Sequence, residues 1–153
     1  MQEEDIRLLY EMGATSVRLT HYQHDPYVYS LCDRYGIVVS TEIPYISEHM
    51  DTADDNAMQQ MRELVRQNYN HPSIVFWLLS NEITIKKTNA DTIATHKRLN
   101  DFCHKEDPGR LTTLTCYMPT DRTNRLAHIT DVVSWNLYYG WYVLSGRQTG
   151  SIL

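Results

Sequence analysis

The chain has 153 residues, of which 42% are hydrophobic and 22% are charged, and its formal net charge is −5. These fractions are ordinary for a globular protein, and ~150 residues suffice to bury a proper core, so we expect residues 1–153 to form one domain. The acidic balance and the scattered basic residues argue against a nucleic-acid partner. Neither an apolar run of ~20 residues nor a signal-peptide pattern is present, so we expect a soluble protein without a membrane partner.

Three cysteines, Cys32, Cys103 and Cys116, lie far apart in the sequence. An odd number without a CxxC spacing predicts neither a disulfide framework nor a zinc site, and free buried thiols are expected. The chain begins inside a helix pattern at Met1 and stops after Leu153 without a closing element. We therefore expect a fragment of a larger protein with an added initiating methionine.

The first part of the chain alternates helix and strand patterns. Apolar residues at helical spacing predict one helix that ends at Gly13 and a second that runs from Pro26 to Gly36. Each is followed by a run of β-branched residues, which predicts strands over 15–20 and 37–42.

The same alternation continues to the end of the chain. In order, the patterns predict a polar binding loop over 43–55, a helix over 56–69, a strand over 74–79, a helix over 91–105 and strands over 111–116 and 131–136. The strand over 74–79 is continuously apolar, which is typical of a strand buried on both faces of a parallel sheet. The helix pattern between the last two strands is weak or missing.

Five strands that alternate with helices indicate right-handed βαβ units and a parallel sheet. Two architectures fit, an open doubly wound sheet and a (β/α)8 barrel. A doubly wound nucleotide-binding sheet carries a glycine-rich loop after its first strand, whereas here that loop, over 21–25, contains no glycine. The barrel is therefore favoured, and because a whole TIM barrel needs ~250 residues, we expect an incomplete one with about five βα units.

Polar and aromatic side chains follow the predicted strands, where functional groups gather in parallel sheets. They are Arg18, His21, Tyr22, His24, Glu42, Asn81, Glu82, Tyr117, Asn136, Tyr138, Tyr139, Trp141 and Tyr142. Such a set favours carbohydrate binding, because polar groups hydrogen-bond sugar hydroxyls while aromatic rings pack against sugar faces. Plainer interpretations are that Asn81 and Glu82 cap the next helix, that Arg18 forms an ordinary salt bridge and that the aromatic rings lie in the core.

Three stretches of the sequence carry motifs of one known enzyme family. NHPSIVFWLLSNE, over 70–82, resembles the acid/base signature of glycoside hydrolase family 2, which contains β-galactosidases, β-glucuronidases and β-mannosidases. VRLTHYQHDPYVYSLCDRYGIVVSTE, over 17–42, and DVVSWNLYYGWY, over 131–142, resemble further motifs of that family. The resemblance extends over nearly the whole chain and includes ordered motifs, which makes it far more specific than Asn-Glu alone.

The resemblance implies a catalytic barrel most like that of a bacterial β-galactosidase, with β-glucuronidase and β-mannosidase as alternatives. It implies a retaining, exo-acting β-glycosidase that hydrolyses O-glycosidic bonds, in which Glu82 protonates the glycosidic oxygen and later deprotonates water. In the family the nucleophilic Glu ends the seventh strand, which would lie beyond the C-terminus of this chain. We therefore expect the 153-residue chain alone to be inactive.

The resemblance also implies a set of residues that bind the carbohydrate substrate. Asn81 would hydrogen-bond the sugar 2-hydroxyl, His21 would line the sugar site and Arg18 would hold a catalytic carboxylate ionised. The full set is Asn81, His21, Arg18, Glu42, Tyr138, Trp141 and Tyr142. No cofactor is expected and no dedicated metal site is identified, although the resemblance allows Mg²⁺ or Na⁺. The expected compartment is the cytoplasm or periplasm of a bacterium.

Two functions of other classes remain open from the sequence. A metal-dependent barrel hydrolase would use His21, His24, Glu42, Glu48 and His49 as ligands. A non-catalytic carbohydrate-binding module would need only the aromatic residues. In any of these cases an incomplete barrel leaves strand edges unpaired, so we expect a homo-oligomer.

Overall fold

The computed structural model describes residues 1–86 and 88–142. Its strands are β1 Ser16–Leu19, β2 Val38–Glu42, β3 Ile74–Asn81, β4 Leu111–Cys116 and β5 Val132–Trp135. Its helices are α1 Gln2–Glu11, α2 Pro26–Tyr35, α3 Asp54–Asn68 and α4 Ala90–Glu106, and short 3-10 helices span Asp51–Ala53, Ile83–Ile85 and Arg125–His128. Each element predicted from the sequence is therefore present, with its ends shifted by at most a few residues.

All five strands are parallel and lie in the order β1-β2-β3-β4-β5. In a doubly wound sheet the strand order reverses at a switch point, whereas in a barrel wall each strand pairs with the next one along the chain. The sheet follows the second rule. The prediction of an incomplete (β/α)8 barrel with about five units is confirmed.

Local sequence explains the bounds of α2, which follows β1. The Asp25 carboxylate accepts a hydrogen bond from the Tyr27 backbone N–H at 2.8 Å, and Pro26 occupies the first helical position. The helix ends at Gly36, whose φ of 68° lies in the left-handed region that glycine adopts without strain. The chain therefore turns back into β2 at a defined residue.

The connection from β4 to β5 contains a short 3-10 helix instead of an α-helix. The Asn124 side chain caps it by accepting a hydrogen bond from the Leu126 N–H at 3.0 Å. Leu126 and Ala127 are buried and belong to the core, and the 3-10 helix packs against α4. This agrees with the weak helix pattern in that part of the sequence.

The main core lies between the outer face of the sheet and the helices. Trp77 of β3, Leu31 of α2, Leu64 of α3 and Leu99 of α4 are completely buried there. Burying a large apolar side chain contributes ~1.5–3 kcal/mol each, so this layer supplies most of the driving force for folding. The three cysteines are buried as free thiols, as the sequence predicts.

The opposite, concave side of the sheet is called the inner face here, and it surrounds a cavity of about 290 Å³. It is lined by Ser16, Arg18, Val38, Ser40, Phe76, Leu78, Thr113, Thr115, Val132, Ser134 and Asn136. In β2 and β5 the apolar lining residues Val38 and Val132 start the strand, and the polar residues Ser40 and Ser134 lie closer to its carboxyl end. Within the described residues, no helix combines the length and apolarity that crossing a membrane would require.

Candidate active site

Four strands contribute polar side chains to one cluster at their carboxyl ends. Arg18 comes from β1, Glu42 ends β2, Asn81 ends β3 and Asn136 follows β5. The Arg18 guanidinium holds the other three together. Its Nε and Nη2 atoms lie 3.1 and 2.8 Å from Glu42 Oε2, its Nη2 lies 2.8 Å from Asn81 Oδ1, and its Nη1 lies 3.1 Å from Asn136 Oδ1.

Glu42 is completely buried, and both of its carboxylate oxygens are occupied. Oε2 accepts from Arg18, and Oε1 lies 2.5 Å from the Nδ1 atom of His21. Because an ionised carboxylate only accepts hydrogen bonds, His21 Nδ1 carries the proton and Nε2 is left for other partners. Glu42 thus orients both neighbours, and His21, whose side chain is 41% exposed, remains accessible.

Glu82 follows β3 in an unusual backbone conformation. Its φ of 57° and ψ of 24° are left-handed, and its N–H donates to the Thr115 carbonyl at 2.7 Å. A non-glycine residue in this region costs of order 1 kcal/mol or more, and such strain is concentrated at functional sites. The alternative role as a helix cap is not observed, since the Glu82 side chain makes no capping bond and α4 is capped by Asn89 instead.

The Glu82 carboxyl group is held by two side chains from beyond β5. Its Oε1 atom accepts a hydrogen bond from Asn136 Nδ2 at 2.7 Å and another from the Tyr138 hydroxyl. Burial, followed by the hydrogen bond to Glu82, raises the pKa of Tyr138 above its usual value, so that hydroxyl stays protonated and remains a donor.

Asn136 is the residue that sequence reasoning left out of the expected substrate-binding set. Its Oδ1 must face Arg18, because a guanidinium has only donors, and this fixes the amide orientation. Its Nδ2 then donates to Glu82 and, at 3.1 Å, to Asn81 Oδ1. The available sequence signal was its spacing of two from Tyr138, which directs both side chains to the same side of an extended segment.

The aromatic residues after β5 lie at the rim of the site. The Tyr138 and Tyr142 rings meet edge to face, with centroids 5.1 Å apart. Trp141 and Tyr142 are each 75% exposed, and Tyr139 is 48% exposed. These three rings are therefore outside the core, where a sugar or aglycone could pack against them.

The three histidines considered as metal ligands each contact another group in the structure. His24 Nε2 lies 3.0 Å from the Thr20 carbonyl, and His49 Nδ1 lies 2.6 Å from the Tyr45 hydroxyl. His21 contacts Glu42, as described above. Across residues 1–86 and 88–142, no group of three His, Cys, Asp or Glu side chains is arranged to hold a metal ion.

A comparison of the sequence with known protein families shows which family the chain belongs to. Residues 1–149 match the family described as glycosyl hydrolases family 2, TIM barrel domain. The chain belongs to glycosyl hydrolase family 2. The resemblance found from the motifs is thereby confirmed, and the match includes the segments that carry Arg18, Glu42, Asn81 and Glu82.

Relatives of this family 2 chain include a β-glucuronidase from Bacteroides fragilis, 40% identical over 99% of the chain and 22% of the relative. The human β-glucuronidase is 34% identical over 91% of the chain and 22% of the relative. Among solved structures, an FMN-binding β-glucuronidase from Faecalibacterium prausnitzii L2-6 has a TM-score of 0.89 and 43% identity, over 92% of this chain and 22% of that one. The chain thus spans about a fifth of the length of these relatives.

One similar structure has a different assigned activity. A protein from Bacteroides fragilis described as a candidate β-galactosidase has a TM-score of 0.86 and 35% identity, over 92% of this family 2 chain and 20% of that one. The relatives are otherwise mainly β-glucuronidases. They therefore favour the glucuronidase alternative over the β-galactosidase that the sequence analysis put first.

Proposed function

We propose that this chain supplies the acid/base part of a retaining, exo-acting β-glycosidase whose substrates are β-glucuronides. The observation that supports it most is the placement of the Glu82 carboxyl group, held by Asn136 and Tyr138 at the carboxyl end of β3. Family membership supports O-glycoside hydrolysis, and the predominance of β-glucuronidases among the relatives supports the glucuronide.

In the proposed reaction Glu82 first protonates the glycosidic oxygen and then deprotonates the attacking water. A second carboxylate, ~5–5.5 Å away, attacks the anomeric carbon and forms the glycosyl–enzyme intermediate. Glu42 is unsuited to that role because it is completely buried and both its oxygens are bonded to Arg18 and His21. We propose that the nucleophile comes from a strand outside the described residues.

The orientation of the Asn81 amide suggests how it would contact the sugar. Its Oδ1 atom already accepts hydrogen bonds from Arg18 and Asn136, so its Nδ2 hydrogens are the groups left to donate. A donor fixed beside the acid/base is suited to the oxygen of the sugar 2-hydroxyl, where hydrogen bonds strengthen in the transition state. His21, with Nδ1 committed to Glu42, would use Nε2 toward the same sugar.

The substrate proposal is tested with the complete gene product and two chromogenic substrates, 4-nitrophenyl β-glucuronide and 4-nitrophenyl β-galactoside. We expect kcat/KM for the glucuronide to be higher on the order of 100-fold or more, because a site that pairs with a carboxylate discriminates strongly against a substrate lacking it. The control is Glu82→Gln, which should lose on the order of 100-fold or more with either substrate. A preference for the galactoside would overturn the substrate, and an active Glu82→Gln would overturn the mechanism.

We also propose that the reaction needs no cofactor. Two carboxylates suffice for the double displacement, so neither step requires a metal ion. Dialysis of the complete gene product against a chelator should leave kcat/KM for the glucuronide unchanged, and restoration of a lost activity by Mg²⁺ or Na⁺ would contradict this.

A further inference from the structure

β3 contains an irregularity immediately before the proposed acid/base. Leu78 pairs with Thr113, whereas Asn81 pairs with Thr115, so β3 advances by three residues while β4 advances by two. The extra residue is a β-bulge, a feature that often re-aims side chains next to active sites. It turns Asn81 to the inner face and leaves Ser80 directed outward, toward α4.

Ser80 meets His96 of α4 in the interior of the protein, where their relative exposures are 1% and 0%. The Ser80 Oγ atom lies 2.7 Å from His96 Nε2, and His96 Nδ1 lies 2.7 Å from the Thr92 carbonyl. A carbonyl only accepts, so Nδ1 carries the imidazole proton and Nε2 accepts the Ser80 hydroxyl proton. Burial lowers the pKa of His96 to about 4, which keeps this arrangement at neutral pH.

The polypeptide around the bulge is supported from three directions. The Asn81 N–H donates to the Tyr45 carbonyl at 2.9 Å, and the Glu82 N–H donates to the Thr115 carbonyl at 2.7 Å. The third support is the Ser80 side chain on His96. The Tyr45 ring packs against the His96 ring with centroids 5.1 Å apart, so the imidazole itself is fixed in place.

We propose that Ser80 and His96 are positioning residues for Glu82 and Asn81, acting through the β3 bulge. The hydrogen bond between Ser80 and His96 keeps the Ser80 side chain directed outward. The next two residues, Asn81 and Glu82, are thereby directed into the site, and the backbone of Glu82 is left-handed there. This inference rests on the proposed function of Glu82, and neither Ser80 nor His96 touches the substrate. A displacement of about 1 Å at a catalytic group costs on the order of 100-fold in rate. The loss of one buried hydrogen bond that positions such a group is therefore expected to lower the rate measurably.

The chain offers a matched pair of substitutions in the complete gene product. His96→Gln keeps a polar group at the place of Nε2 and therefore keeps a partner for Ser80. His96→Asn keeps a polar group near Nδ1, toward Thr92, and loses the partner for Ser80. Ser80→Ala removes the hydroxyl with a smaller change of volume and serves if the asparagine variant does not fold.

The decisive measurement compares phenyl β-glucuronide, a poor leaving group, with 2,4-dinitrophenyl β-glucuronide, a good one that needs little protonation. The ratio of the two kcat/KM values is independent of the amount of folded enzyme. We expect His96→Asn and Ser80→Ala to lower activity on the phenyl glucuronide more than on the dinitrophenyl glucuronide, by on the order of 10-fold, while His96→Gln keeps the wild-type ratio. Equal losses on both substrates, or a glutamine variant as impaired as the asparagine variant, would overturn the proposal.

Glu82→Gln separates this proposal from the proposed function. If Glu82→Gln changes the leaving-group ratio and the Ser80 and His96 variants do not, only the positioning role fails; if Glu82→Gln leaves it unchanged, the acid/base role fails. Amide hydrogen exchange of the peptide containing Asn81 and Glu82 tests the bulge without any assay of activity. Exchange should be faster in Ser80→Ala than in the wild type, and unchanged exchange would overturn the positioning role whatever the catalytic result.

Discussion

The Asn136 side chain connects Arg18 with Asn81 and Glu82. Its oxygen accepts a hydrogen bond from Arg18, and its nitrogen donates to Glu82 and Asn81. Replacing it removes a hydrogen-bond partner from Arg18 on β1 and from Asn81 and Glu82 at the carboxyl end of β3. Each such group left without a partner costs ~1–3 kcal/mol. The residue therefore acts on the orientation of all three neighbours.

We predict that Asn136→Ala in the complete gene product lowers kcat/KM for the preferred glycoside on the order of 100-fold, because Glu82 loses a donor and Arg18 loses an acceptor. Steady-state kinetics provides the measurement. The control is Asn56→Ala on the exposed surface of α3, which should retain full activity. Full activity of Asn136→Ala would show that the network is dispensable.

The sequence alone identified Glu82 and Asn81 as candidate site residues, because they follow an apolar strand pattern within a recognisable motif. The sequence did not predict the role of Asn136, because that role depends on a hydrogen bond from Arg18, which is 118 positions away in the sequence. No local pattern reports a contact between the ends of β1 and β5. The left-handed backbone of Glu82 was equally hidden, because non-glycine residues give no sequence sign of positive φ.

At the scale of elements, strands and helices were predictable because apolar and β-branched periodicity reports which face is buried. The bulge in β3 was not, because register is a property of a strand pair and the shift appears only against β4. The buried histidine of α4 was also missed. His96 lies in the helix predicted over 91–105, but a polar residue on the buried face breaks the apolar pattern there.

The buried His96 makes the packing of α4 against β3 sensitive to acid. Burial lowers its pKa from 6.5 to about 4, so the unfolded chain binds more protons than the folded one between those values. The stabilisation is complete above pH 6.5 and is lost as pH falls toward 4. At 1.36 kcal/mol per pKa unit, the free energy of unfolding loses about 3 kcal/mol over that range.

We predict that the melting temperature of the complete gene product falls more between pH 7 and pH 4.5 in the wild type than in His96→Gln, whose side chain does not titrate. Other acidic and basic groups contribute equally to both proteins, so the difference isolates His96. Calorimetry or circular dichroism provides the measurement. If the melting temperatures of the two proteins had the same pH dependence, the His96 imidazole would not take up a proton on unfolding in this pH range, which contradicts the prediction.

At the scale of the molecule, the sheet has two edges within the described residues. β1 pairs only with β2, and β5 pairs only with β4. The inner face also exposes apolar side chains, including Val38 at 38% and Val132 at 39%. Unpaired parallel edges next to apolar surface favour pairing between chains.

We predict that the 153-residue polypeptide expressed alone forms oligomers or aggregates and hydrolyses neither 4-nitrophenyl β-glucuronide nor the β-galactoside. Light scattering gives the assembly state and an absorbance assay gives the activity. A monomer with a sharp thermal transition would contradict the first expectation. Turnover that Glu82→Gln abolishes would contradict the second.

The whole-molecule prediction of a barrel succeeded because the loop after β1 lacks the glycines of a nucleotide-binding sheet and because βαβ connections impose a parallel order. The sugar of the substrate was harder to predict from the sequence. In the proposed reaction Glu82 would act on the glycosidic oxygen, and Asn81 and His21 on ring hydroxyls, which are groups common to many glycosides. Discrimination between a carboxylate and a hydroxymethyl group depends on other contacts.

The most direct test of the central claim is chemical rescue of Glu82→Ala in the complete gene product with sodium azide. Azide needs no general base, so it attacks the glycosyl–enzyme intermediate on the face from which Glu82 was removed. With a 4-nitrophenyl β-glucuronide, azide should restore turnover and give the β-glucuronosyl azide. Formation of the α-azide would identify Glu82 as the nucleophile instead, and wild-type activity of Glu82→Ala without azide would remove it from the reaction altogether.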